Sequence, residues 1–223
     1  MEKPIYPMRN MRITQGYNEG THKNSFAIDD AGKDTNIETL IAPFTGYIKK
    51  IYVNDANEVW LESENEVEYP DGTIDYMTIM FAHSNDVKNL YIGKRINQKE
   101  EFYKEGTKGN ATGNHCHIEC GKGRFTGSGW YKNESGYYSI NNGKKPEECL
   151  WVDDGINIIN NNNYNFKRII NKFDDEQKNN EDNKDNNKVT DNKKLIYMCE
   201  KKDLYGIYLN IGDKLYIENK HNI

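Results

Sequence analysis

The sequence predicts a mainly β protein: an antiparallel sheet or sandwich over residues 1–160, then a linker and a small β-rich segment. Three observations lead there. Short runs rich in Ile, Val, Tyr and Thr recur between turn residues. Helical periodicity is weak throughout, and its best stretch covers only residues 86–90. The 16 tyrosines and three tryptophans can furnish a core in a chain with only 35% hydrophobic residues, which argues against wholesale disorder.

Taken in order, the 47–53 run (YIKKIYV) follows the breakers Pro43 and Gly46. The 58–62 run (EVWLE) follows Asn54, Asp55, Ala56 and Asn57. Pro70, Asp71 and Gly72 mark a turn between 66–69 and 76–81, as expected of hairpin-linked strands. After Trp151 the character changes. An Asn-rich stretch leads to apolar residues Phe166, Ile169, Ile170 and Phe173. Residues 176–194 hold a single apolar side chain, Val189, among mixed charges. Such a stretch cannot bury enough surface to offset its ordering entropy, so a disordered linker is expected. The expected limits are 1–160 for the first domain, 161–194 for the extension and linker, and 195–223 for the C-terminal segment. Three strand-like runs (195–198, 204–209 and 214–217) are too few for a confident autonomous domain. Tyr197, Tyr205, Tyr208 and Tyr216 suit either a binding surface or the small sheet's own core. The role of this segment stays open.

Charge and patterning exclude several classes. A net charge of −5 with no evident basic face argues against a general nucleic-acid binder. No apolar run reaches 18 residues, so no membrane insertion by a helix is expected. MEKPIYPMRN has no apolar stretch after its charges, so no secretory leader is expected either. The chain should then stay in the cytoplasm that makes it unless something else releases it. Cys116, Cys120, Cys149 and Cys199 form no CxxC pair and read as free thiols in a reducing compartment. GxSxG, P-loop, HExxH and GxGxxG motifs are all absent.

The histidines carry the chemistry. His22 and Asp29 have six residues between them, His22 in a Gly/Asn/Ser-rich loop and Asp29 closing a short strand of Phe26, Ala27 and Ile28. Imidazole and carboxylate are both zinc ligands, although alone the pair reads as an exposed loop His and a turn Asp. His115 and His117 share a strand face about 7 Å apart, with Cys116 and Ile118 on the apolar side. One can bind a metal while the other works on water. His83 ends an apolar strand, and His221 sits idle in the tail. Three protein ligands with an open position for water make the catalytic zinc pattern.

The ordered set His22…Asp29, then Phe81-Ala82-His83, then residues 112–119 (TGNHCHIE) resembles the lysostaphin-type (M23) zinc metallopeptidases. Residues 40–48 (LIAPFTGYI) are similar to the family's A-x-x-x-G-x-V strand, and 92–96 (IGKRI) to the turn ahead of its HxH strand. The resemblance spans roughly residues 12–150, and 121–147 looks like the variety encoded by phages of Gram-positive hosts. It implies a compact antiparallel β domain with a groove open at both ends. It implies Zn2+ held by His22, Asp29 and His117, with His115 as general base or water-orienting residue and His83 stabilising the oxyanion. The x6 spacing between His22 and Asp29 exceeds the family's common x3, which leaves Asp30 as an alternative; Ala27-Ile28-Asp29 fits the family's (A/G)-(I/V)-D better. The implied activity is a peptidoglycan endopeptidase that cuts cross-bridge or stem peptides of Gram-positive wall. A phage endolysin released through a membrane lesion, or a virion-borne enzyme, fits the absence of a leader. The competing readings are a zinc amidase and a non-catalytic wall-binding or tail component. Presence of all five site residues favours activity.

Overall fold

A computed structural model describes residues 1–53, 56–126, 130–132, 138–160, 193–198, 203–204, 207–208 and 214–218. The chain divides into two compact units, 1–176 and 177–223. The expected extension and linker lie outside the described residues, apart from Lys193 and Lys194.

The first unit is built almost wholly of strands. In order these are β1 (Asn10–Gln15), β2 (Ile28–Ala31), β3 (Thr39–Ile41), β4 (Gly46–Tyr52), β5 (Glu58–Ser63), β6 (Val67–Glu68), β7 (Ile74–Asp75) and β8 (Met77–Ala82). Then come β9 (Arg95–Ile96), β10 (Glu101–Lys104), β11 (Cys116–Lys122), β12 (Trp130–Lys132), β13 (Tyr138–Ile140), β14 (Gly143–Lys144) and β15 (Asn157–Asn160). A 3-10 turn, Gly20–His22, precedes β2, and a one-turn helix α1, Pro146–Cys149, precedes β15. The main sheet runs β15-β1-β2-β11-β8-β5-β4-β9, with β14 pairing β11 beyond the end of β2. Its pairings are antiparallel except β1 with β15.

Burial explains this arrangement. The central strands β5 and β8 are buried on both faces almost throughout, and β8 reads as a near-continuous apolar run. Strand β11 alternates instead. Cys116, Ile118 and Cys120 point into the main core with Ile28, Phe81, Ile79 and Leu61. The ribbon of β3 and β10 closes that core, with Tyr103 against Phe81 at 5.7 Å between ring centres. On the other face a smaller cluster of Trp60, Met80, Ala82 and Ile140 packs beside His117 and Glu119. Cys116 is therefore the small core residue the alternation predicts.

Two local expectations change. Pro70-Asp71-Gly72 does turn the chain, with Gly72 at φ +83°. The hairpin it closes joins β6 to β7, and the long strand starts only at Met77. Residues 86–90 form a turn rather than a helix. The Asp86 carboxylate accepts the Lys88 N–H at 2.9 Å, a local bond that competes with helical pairing.

The second unit contains β16 (Lys193–Met198), β17 (Asp203–Leu204), β18 (Ile207–Tyr208) and β19 (Lys214–Glu218). Strands β16 and β19 pair antiparallel, as do β17 and β18. Its tyrosine side chains lie outside what is described. Among the described residues no helix is long and apolar enough to cross a membrane.

Candidate metal centre

Sheet register assembles the centre. His117 on β11 stands directly opposite Asp29 on β2 and Ala82 on β8. Asp29 therefore lies inside a strand that starts at Ile28, rather than closing one that starts at Phe26, which is 36% exposed. Asp30 turns the other way: it is fully buried, and its carboxylate accepts the Arg12 N–H at 2.8 Å. His22 ends its 3-10 turn and is buried at 3% exposure, not displayed on a loop. The Asn18 and Ser25 amides both donate to the His22 carbonyl, folding this loop inward. His83 follows β8 at φ +81°, a conformation costly for any residue with a Cβ. His115 precedes β11, bridged backbone to backbone with Gly106.

Hydrogen bonds then aim each ring. His22 Nδ1 meets the Gly16 carbonyl at 3.1 Å, His83 Nδ1 the Lys108 carbonyl at 2.7 Å, and His115 Nδ1 the Gly113 carbonyl at 2.9 Å. A carbonyl only accepts, so each Nδ1 carries the hydrogen and each neutral ring keeps its lone pair on Nε2. His117 is reversed. Its Nε2 faces Glu119 Oε1 at 3.1 Å, and its Nδ1 faces Asp29 Oδ1 at 3.0 Å. His22 Nε2 stands 3.3 Å and His115 Nε2 3.7 Å from that same Asp29 oxygen. The His83 and His115 rings lie 4.6 Å apart.

Electron-rich atoms thus converge on one point, as they would around a shared metal ion or proton. The donor atoms of His22, Asp29 and His117 all lie within 4.8 Å of one another. Two imidazole nitrogens and one carboxylate oxygen suit zinc. Both histidines are anchored through their outer nitrogen, as metal-ligating histidines usually are. The residues present therefore fit a zinc ion. Without metal, a proton takes its part. Burial would lower His117, but its hydrogen bonds to Asp29 and Glu119 outweigh that and push its pKa up to about 10. Burial would raise Asp29, but the hydrogen bond and positive charge of protonated His117 hold its carboxyl well below the usual range. Burial, reinforced by the charge on His117, lowers His83 to about 4.

These shifts give a signed expectation. Metal-free His117 keeps its proton below about pH 10, so zinc must displace it at lower pH. Zinc loading at pH 6 should release about one proton, and affinity should fall as pH falls. Calorimetric titration in buffers of different ionisation enthalpy measures this. A heat independent of the buffer would show that His117 exchanges no proton for the metal.

Glu119 is the functional residue that motif reading passes over. It is 3% exposed, orients His117 through Oε1, and accepts the Ile140 N–H through Oε2 at 2.7 Å. Only its position two residues after His117, on the same strand face, could have signalled it. Glutamine cannot accept both hydrogen bonds, so Glu119→Gln should weaken zinc binding about 10–100-fold. Chelator competition reads this, and unchanged affinity would remove Glu119 from the centre. Beside Glu119, where β2 gives way to β14 along β11, a pocket of about 200 Å³ opens between Phe26, Asn24, Ile140 and Asn141.

No family model matches the chain. Morphogenesis protein 1 of Bacillus phage B103 is 29% identical over 195 residues, covering 82% of this chain and 48% of that protein. The chain thus spans about half the length of that relative. Among solved structures, that of LytU is similar with a TM-score of 0.43 and 21% identity, over 62% of this chain and 83% of its own. The catalytic domain of the antimicrobial peptidase lysostaphin from Staphylococcus simulans gives a TM-score of 0.42 at 15% identity, over 61% of this chain and 89% of its own.

Proposed function

We propose that this protein is a zinc-dependent peptidase acting on peptide bonds of bacterial cell-wall peptidoglycan. One observation carries the reading: His22, Asp29 and His117 point their donor atoms at one place, while His115 and His83 stand beside it as non-ligands. When bound, zinc supplies Lewis acidity that polarises a carbonyl and acidifies water. His115, with Nδ1–H held by Gly113, presents an Nε2 lone pair that can orient a water and take its proton. His83, with Nδ1–H held by Lys108, is likewise an Nε2 acceptor while neutral. Stabilising an oxyanion, the role implied by its place in the motif, would need a hydrogen on Nε2, and with Nδ1–H committed to the Lys108 carbonyl that means the imidazolium, which burial disfavours. We therefore assign His83 to the water side of the reaction. The pocket beside Glu119 would take a small substituent of the residue flanking the scissile bond. The similarity to a phage morphogenesis protein supports placing such a peptidase in phage morphogenesis.

The test is to digest peptidoglycans of differing cross-bridge composition with zinc-loaded protein and identify the released ends by mass spectrometry. New peptide amino termini, lost on chelation and restored by zinc, are expected. Free muramic acid ends would make the enzyme an amidase. No release from any wall by fully loaded protein would leave a non-catalytic wall-binding protein.

A further inference from the structure

Gly106 contacts both histidines that do not belong to the ligand set. Its N–H donates to the His115 carbonyl at 3.0 Å, and its carbonyl accepts the His115 N–H at 3.1 Å. Its other side lies against the backbone after β8. A Cβ at position 106 would stand 2.5 Å from the His83 carbonyl oxygen and 2.7 Å from the Asn85 nitrogen. Contacts that short are with main chain and cannot be relieved by rotating a side chain. Two residues on, Lys108 donates its N–H to the His83 carbonyl at 3.0 Å and accepts the His83 Nδ1–H at 2.7 Å. Asn85 Oδ1 ties the intervening Thr107 N–H at 3.0 Å. The segment is itself anchored. Buried Glu105 accepts the Gly32 and Glu38 amides, at 3.0 and 2.9 Å, from the loop after β2.

We infer that Gly106 is a positioning residue for the proposed reaction: it lets one main-chain segment clasp His83 and His115 together and so fixes the spacing of their rings. This rests on the peptidase reading of the site. The segment explains how His83 can hold φ +81°, since backbone bonds on both sides over-determine it. The β8–β11 register brings the two histidines to adjoining strand ends, and the segment then fixes their rings 4.6 Å apart. The zinc ligands are positioned separately, by the β2–β11 register and the 3-10 turn. Disturbing Gly106 should therefore separate turnover from metal binding.

The experiment compares wild type, Gly106→Ala and Asn85→Ala, all zinc-loaded. The alanine Cβ must push the segment away from His83, and misplacement of a reacting group by about 1 Å costs about 10²-fold. Gly106→Ala should lower kcat by about that factor while zinc affinity and KM stay near wild type. Asn85→Ala frees Thr107 without adding a Cβ, so it should fold even if Gly106→Ala does not, and should lower kcat less but with the same split. Side-chain NMR should show altered Nδ1–H resonances of His83 in both variants. Wild-type kcat in Gly106→Ala, or a loss that follows zinc affinity or KM, would overturn the inference. If wild type itself cleaves no wall peptide, the peptidase reading fails, whereas an unchanged His83 resonance in both variants fails the clasp alone.

Discussion

His117→Ala should lose zinc and activity together. The substitution removes one of the three proposed ligands, and among the described residues no other donor completes a three-ligand group with His22 and Asp29. It also strips the counter-charge from two carboxylates. Asp29 has a side-chain exposure of 14% and Glu119 of 3%, and each is paired with a nitrogen of His117. Removing the charged partner of a buried ion pair costs about 3–5 kcal/mol, less here because Asp29 keeps His22 beside it and Glu119 keeps the Ile140 N–H. The metal-free variant should therefore also melt below the metal-free wild type, and zinc should no longer raise its Tm. Metal analysis after dialysis, melting curves with and without zinc, and turnover on wall peptides together measure this. Stoichiometric zinc retained by the purified variant would show that His117 is not a ligand.

Part of this centre is legible in the sequence because it is local. The i, i+2 spacing of His115 and His117 sets both on one strand face, and alternation sends Cys116 and Ile118 into the core. The paired strands of the first unit follow from turn residues and apolar runs of five to seven residues. What is not legible depends on register. Asp29 lies opposite His117 because β2 pairs with β11, two strands separated by 84 intervening residues, and nothing within either segment specifies that pairing. The local sequence places Asp29 at a strand end, since Phe26-Ala27-Ile28 looks like a strand. In the fold, Phe26 remains outside β2 and lines the pocket beside Glu119.

The tautomers are illegible for a different reason. The groups that orient His22, His83 and His115 are the carbonyls of Gly16, Lys108 and Gly113, and a main-chain carbonyl has no residue type. The same holds for the clasp at Gly106, where the sequence shows only a glycine in a Gly-rich stretch. Glu119 differs again. Its side chain could be read from the same-face rule, but a carboxylate two residues past a histidine is ordinary in a surface strand. Its burial, set by β13 and Ile140 covering that face, turns it into a partner for His117.

His115→Ala should keep its zinc yet lose turnover by about 10²–10⁴, the range for removing a positioned general base. The reasoning is geometric. His115 is outside the ligand triad, its Nδ1–H is committed to Gly113, and its Nε2 stands 3.7 Å from the Asp29 oxygen that the ligands surround. Removing the ring therefore takes away an acceptor beside the metal without taking away a donor to it. Among the described residues no carboxylate has this histidine as its nearest partner, so the Tm of the metal-free variant should change far less than for His117→Ala. His83 gives the companion test. If His83 and His115 accept hydrogen bonds from the same water, the double variant should be little slower than the slower single variant, because groups that act as a unit are not additive. Zinc content, kcat and KM for the three variants decide the matter. Loss of zinc in His115→Ala would mean that the roles of His115 and His117 are exchanged. Multiplicative losses in the double variant would separate His83 from the water and return it to the oxyanion.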